Sequence, residues 1–315
     1  MTRDLRIDGL KFLMIFCVVL GHLDFGDYGL KINRVIYAFH MPVFVFLSGY
    51  LTTLHSPKER QRQWIKQTLV IYAFAQLASV VIRSLLVFVP DMSAHAESDD
   101  VGLAKWSDLI SPGLALWYLV CLMYWRVSVW TFFQKTDDVK LLSLSVLLAL
   151  LSGLIPLDNE LAFQRTFVFF PFFVLGIVFK KRNWLCRLDQ IPVIFAVIGL
   201  IVGFAVARGL PTFMPKTHYE DWHQLVFRVV QSGLGLVLCL LIVRISRARF
   251  VKSFARWGKY TLWIYIGHTY LILIGREWFP YLGISLNLFS ALILAAVYCL
   301  VFAWMGMKKR GASGR

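Results

Sequence analysis

Two residues that can do chemistry stand in an otherwise apolar run, DGLKFLMIFCVVLGHLDFG, which begins at Asp8. On a helix, Lys11 and His22 lie about 16 Å apart along the axis and roughly 20° apart around it, so they share one stripe. A lysine cation can hold a phosphate, and an imidazole can take the proton of a hydroxyl near neutral pH. The stripe thus offers a grip for a cytosolic donor at one end and a general base at the other. Lys11 is explained equally well as a lysine that snorkels to the membrane surface. The short ring of His22 cannot reach out in that way, and an ionisable group inside a bilayer is costly enough to point to function.

That reading requires a membrane. The 315 residues are 58% hydrophobic and only 16% charged, with a mean hydropathy of +0.66, far from the balance of soluble proteins. Apolar runs of spanning length recur with short polar breaks, which predicts an all-α, polytopic bundle of about ten transmembrane helices. They are expected over residues 8–24, 33–53, 67–89, 113–133, 141–157, 162–179, 190–208, 223–243, 258–275 and 284–306. The bundle occupies residues 1–307, followed by a short basic tail over 308–315. No small-residue cleavage site follows the first apolar run, so it reads as a retained helix and not a signal peptide.

The loops alternate in charge. The termini and the stretches KERQRQWIK, KTDDVK, KKRNWLCRLD and RISRARFVKSFARWGK, with Lys11 and Arg126 at helix ends, hold 24 of the 33 Lys and Arg but only 6 of the 18 Asp and Glu. The positive-inside rule puts that side, and both termini, in the cytoplasm. The net charge of +15 is then met by lipid headgroups and an anionic cytosolic ligand, and calls for no nucleic acid. The five cysteines show no CxxC spacing, and no pair of His or Cys shares a helix face, so neither a disulfide framework nor a metal site is expected.

RIDGLKFLMIFCVVLGHL followed by YAFHMPVFVFLSGYL resembles the start of the acyltransferase family 3 membrane proteins. These carry a basic residue, usually arginine, and a histidine with ten residues between them in helix one, then an FHMP-type motif leading to SG in helix two. Lys11 and His22 fill the first pattern; Phe39, His40, Met41, Pro42, Ser48 and Gly49 fill the second. Weaker echoes are LWYLVCLMYWR around Trp117 and Tyr118, FFPFFVLGIVFKK after Arg165, and YTLWIYIGHTYLI with Tyr265 and His268. Lysine in place of arginine gives up the planar fork that grips phosphate bidentately, and is similar to fucose-acetylase-like members. The third helix reads LVIYAF where the family often has a proline–tyrosine pair.

The resemblance implies a multi-pass protein of the bacterial inner (plasma) membrane that moves an acyl group, in the first instance acetyl, from acyl-CoA to a hydroxyl of a cell-envelope carbohydrate. Acetyl-CoA is then a substrate, and no permanently bound cofactor is expected. His22 is the expected general base. The donor's phosphates fall to Lys11 with Arg62 and Lys66, and the oxyanion to Ser48, Tyr118 or backbone freed where Pro42 breaks or bends helix two after His40. His268, about nine residues beyond Lys259 on another outward helix, can share a level with His22, as a structural or a catalytic ring. Arg34, Arg83, Arg165 and Arg228 map to the outer third of their helices, where they snorkel, pair with Asp24, Asp158, Glu160 or Asp221, or together make a vestibule for an anionic acceptor. His55, His95, His218 and His223 read as solvated. A secondary transporter or lipid-linked sugar exporter also predicts spans, a broken helix and buried polar groups, but typically places carboxylates in mid-membrane, and none stands well inside a predicted span here.

Overall fold

The computed structural model describes residues 4–86 and 111–312, apart from residues 24, 114, 158–159, 213–214 and 216. Asp24, His95 and Asp158, and the side chains of Arg83 and Glu160, lie outside the described residues. Among the described residues the chain is all helix, turn and loop, with no strand. In chain order the helices are α1 (Leu5–Gly21), α2 (Gly26–Leu51), α3 (Lys58–Leu86), α4 (Trp117–Thr131), α5 (Asp138–Leu151) and α6 (Phe163–Lys181). They continue as α7 (Trp184–Leu188), α8 (Val193–Gly209), α9 (Trp222–Ile245), α10 (Arg249–Ser253), α11 (Thr261–Tyr281) and α12 (Leu288–Ala312).

Each of the ten predicted stretches overlaps one of the longer α-helices; the short α7 and α10 are additions within basic loops. Among the described residues, five segments are long and apolar enough to cross a membrane: Gly29–Leu51, Lys58–Ile82, Phe163–Lys181, Trp222–Ile245 and Leu288–Lys308. Their outward faces are apolar as well, with Phe74, Leu77, Val230, Phe289 and Val297 all exposed. In water such a surface would be a liability; in hydrocarbon it is the solvated face. The protein is an integral membrane protein on these grounds.

At the centre, α2 packs along α6. A Cβ on Gly49 would sit 1.9 Å from the Phe173 carbonyl oxygen, and one on Gly176 would sit 2.0 Å from that of Phe46. Only glycine permits this backbone contact, the close approach that holds helices together where lipid supplies no hydrophobic drive. The large side chains Phe46, Phe169 and Phe173 fill the space around it.

The basic ends are latched. The Arg6 guanidinium donates to Ser246 Oγ at 2.7 Å and Asp189 Oδ2 at 2.8 Å, and also to the Val243 carbonyl. This ties the start of α1 to the end of α9. At the head of α5, Asp138 accepts from Lys181 Nζ at 2.8 Å and Arg182 Nε at 2.6 Å. Burial works to raise its carboxyl, and the two cations outweigh that and hold it below the ordinary carboxylate range.

One expectation is revised. Helix two runs through Pro42 without a break; the proline is buried and packs on α9, where a Cβ on Gly235 would meet Pro42 Cγ at 3.2 Å and the Ala38 carbonyl oxygen at 3.1 Å. Proline cannot donate to the carbonyl four residues back, and the small Gly235 lets α9 close over that position. Helix α12 continues to Ala312, into the basic stretch that begins at residue 308.

Candidate active site

His22 caps the C-terminus of α1, its backbone still near-helical. Its Nδ1 lies 3.2 Å from the Tyr37 hydroxyl on α2. The His268 ring of α11 stands 5.6 Å away, centroid to centroid. One turn along α2, His40 meets Tyr37 edge-on at 5.1 Å. Three helices therefore bring three imidazoles and a phenol together in the hydrophobic core.

The surroundings fix two of the tautomers. His40 Nδ1 lies 2.7 Å from the Ile36 carbonyl oxygen, and His268 Nδ1 bonds the Tyr265 carbonyl. A carbonyl only accepts, so each Nδ1 carries the proton and each Nε2 presents a lone pair in the neutral ring. His268 is fully buried, and its Nε2 has no hydrogen-bond partner among the described residues. A buried polar atom left alone costs about 1–3 kcal/mol, so it calls for a ligand or a proton.

Towards the other end of α1 lies a cavity of about 150 Å³ lined by Lys11, Phe44, Ser48, Tyr118, Leu122 and Tyr265, among others. Lys11 Nζ is 3.5 Å from Asp8 Oδ1. The Ser48 and Tyr118 hydroxyls bond each other. Tyr265 joins the two regions: its ring lies 5.6 Å from that of Tyr118 and 5.4 Å from that of His268. Ser48 is about 12 Å along α2 from His40, so Ser48 and Tyr118 line the approach to the histidines instead of standing beside them.

The remaining predicted residues divide. Arg62 and Lys66 are exposed on α3 and are not among the residues lining the Lys11 cavity. Arg165 stacks on Trp117, 4.9 Å from the ring centroid, near enough for its charge to reach Tyr37 and Tyr265. Arg228 is committed to structure, donating to the carbonyls of Ala149 and Thr217, to Ser152 Oγ and to Gln164 Oε1. Arg34 borders a small separate pocket with Pro211 and Gln231. Two members escaped the sequence reading. Tyr37 has the signal of standing three residues before His40, on the same helix face. Arg126 was read only for its part in the charge asymmetry.

No curated protein and no solved structure matches the chain. A family model described as an acyltransferase domain matches residues 4–308, a range that holds both ends of the α1 stripe and every helix that builds the cavity and the histidine cluster. The chain belongs to this acyltransferase family 3 and is an acyltransferase.

Proposed function

We propose that the protein moves an acyl group, acetyl in the first instance, from acyl-CoA to a hydroxyl of a cell-envelope carbohydrate. We place it in the bacterial inner membrane with ten spans and both termini in the cytoplasm. The observation that carries this reading is the layout of α1: Lys11 borders a cavity, His22 stands in a histidine cluster, and Tyr265 touches both regions. The two ends are about 16 Å apart, a span an extended pantetheine arm can bridge. The donor's phosphates stay at the cytoplasmic mouth, the arm passes Ser48 and Tyr118, and the thioester comes to rest by His22. The acceptor enters from the opposite side of the membrane, past Arg165.

His22 acts as base when its Nδ1–H donates to the Tyr37 oxygen, the tautomer that puts the lone pair on Nε2. Nε2 takes the proton of the acceptor hydroxyl as that oxygen bonds to the thioester carbon. The tetrahedral oxyanion then collapses, the carbon–sulfur bond breaks, and the thiolate leaves with the proton returned from the His22 imidazolium. His268 Nε2 accepts a hydrogen bond from the acceptor or from that imidazolium, which satisfies its orphaned lone pair. Purified protein incubated with labelled acetyl-CoA and a panel of sugars should release CoA in an acceptor-dependent way. Absence of any turnover or acyl-CoA binding in folded protein would sink the reading.

A further inference from the structure

The cations expected to hold the donor's phosphates, Arg62 and Lys66, do not border the cavity, but two others stand at its cytoplasmic end. Tyr118 and Leu122 line it, and Arg126 follows one turn on from Leu122 along the same side of α4. The Arg126 guanidinium lies over the Trp64 ring, 4.2 Å from its centroid. Trp64 is held edge-on by Trp130 at 5.7 Å, whose Nε1 donates to the Thr53 carbonyl at 3.0 Å. Stacking occupies the face of the guanidinium and leaves its in-plane N–H groups available. Lys180, at the end of α6, reaches the Thr52 carbonyl at 3.4 Å and is close enough to Arg126 for the two charges to repel.

Neither cation has a carboxylate partner among the described residues, and Arg126 Nε is buried there without an acceptor. Asp138, which pairs with the neighbouring Lys181 and Arg182, is already taken. Two half-buried like charges held together by aromatic and carbonyl contacts, with unused donors, cost energy unless an anion completes them. We propose that Arg126 and Lys180, with Arg126 braced on Trp64, form a phosphate site at the cytoplasmic end of the Lys11 cavity that receives a phosphate group of the acyl donor. This assignment rests on the acyl-CoA reading above.

The test is CoA binding by the purified full-length protein in nanodiscs of neutral phosphatidylcholine, with pantetheine, which lacks the phosphates, measured alongside. Arg126→Gln and Lys180→Gln should each weaken CoA about tenfold or more, the loss of one charge-assisted contact, and leave pantetheine affinity unchanged. Arg126→Lys, which keeps the charge, should retain part of the CoA affinity; with Lys180→Gln it decides the matter if Arg126→Gln fails to fold. Wild-type binding of CoA with equal affinity in both Gln variants would overturn the phosphate site and leave the donor reading intact. No CoA binding by folded wild type would overturn the donor reading and the site's ligand with it. Discs containing phosphatidylglycerol separate the second source of phosphate. If the Gln variants lose anionic lipid from their annulus yet bind CoA as wild type does, the pair holds a lipid headgroup and the proposal is wrong.

Discussion

At the residue scale the proposed chemistry depends on which nitrogen of each histidine carries a proton. Tyr37→Phe removes the oxygen that receives the His22 Nδ1–H in the reactive tautomer, so kcat should fall about 10–100-fold while the KM for acyl-CoA stays near wild type. A merely structural role would shift thermal stability and leave kcat intact. His268→Gln keeps a polar side chain but removes the fixed Nε2 lone pair, and single-turnover transfer should slow while CoA affinity holds. Lys11, His22 and His40 were legible because an ionisable side chain in an apolar run is conspicuous. Tyr37 was not, since a tyrosine in an aromatic-rich helix looks like packing until a histidine is found against its hydroxyl. The sequence also favoured Arg62 and Lys66, exposed cations on a basic helix start, over Arg126, whose meaning depends on which ring it stacks on.

At the scale of elements, the α2–α6 contact and the latches at the basic ends keep the helices in register. Gly176→Val would drive a side chain into the Phe46 carbonyl, and detergent-solubilised protein should melt well below wild type. Gly233→Ala, where nothing lies within 4 Å, should leave the melting temperature within a degree or two, as roughly neutral surface changes do. The Asp138 latch makes a pH-dependent contribution. A carboxyl held low in the folded state stabilises fully above its unfolded value of about 3.9 and loses that contribution as pH falls through the lower folded value. Its cationic partners are about half exposed, so solvent screening limits the effect. Asp138→Asn should therefore lower the melting point by about 2–4 °C at neutral pH, with the gap closing only under strongly acid conditions. Helix positions were readable from hydropathy because backbone in a bilayer must satisfy itself. The unbroken course of α2 through Pro42 was not, nor was the close approach of α9 there, which involves Gly235, distant in sequence.

At the scale of the whole molecule, the proposed transfer, with donor on one side of the membrane and acceptor on the other, requires a fixed orientation. Cys186 on α7 is the exposed cysteine, the remaining four being buried or half-buried, and it lies in a basic loop. A membrane-impermeant thiol reagent should label it in inside-out vesicles and not in intact cells; the reverse pattern would invert the topology. Steady-state kinetics of acetyl transfer by wild type, Lys11→Ala and His22→Ala test most directly the proposal that the two ends of α1 serve donor binding and chemistry separately. His22→Ala should lose about 10²–10⁴-fold in kcat with CoA affinity unchanged, whereas Lys11→Ala should raise the KM for acetyl-CoA and largely keep kcat. Turnover by folded His22→Ala at the wild-type rate would contradict it.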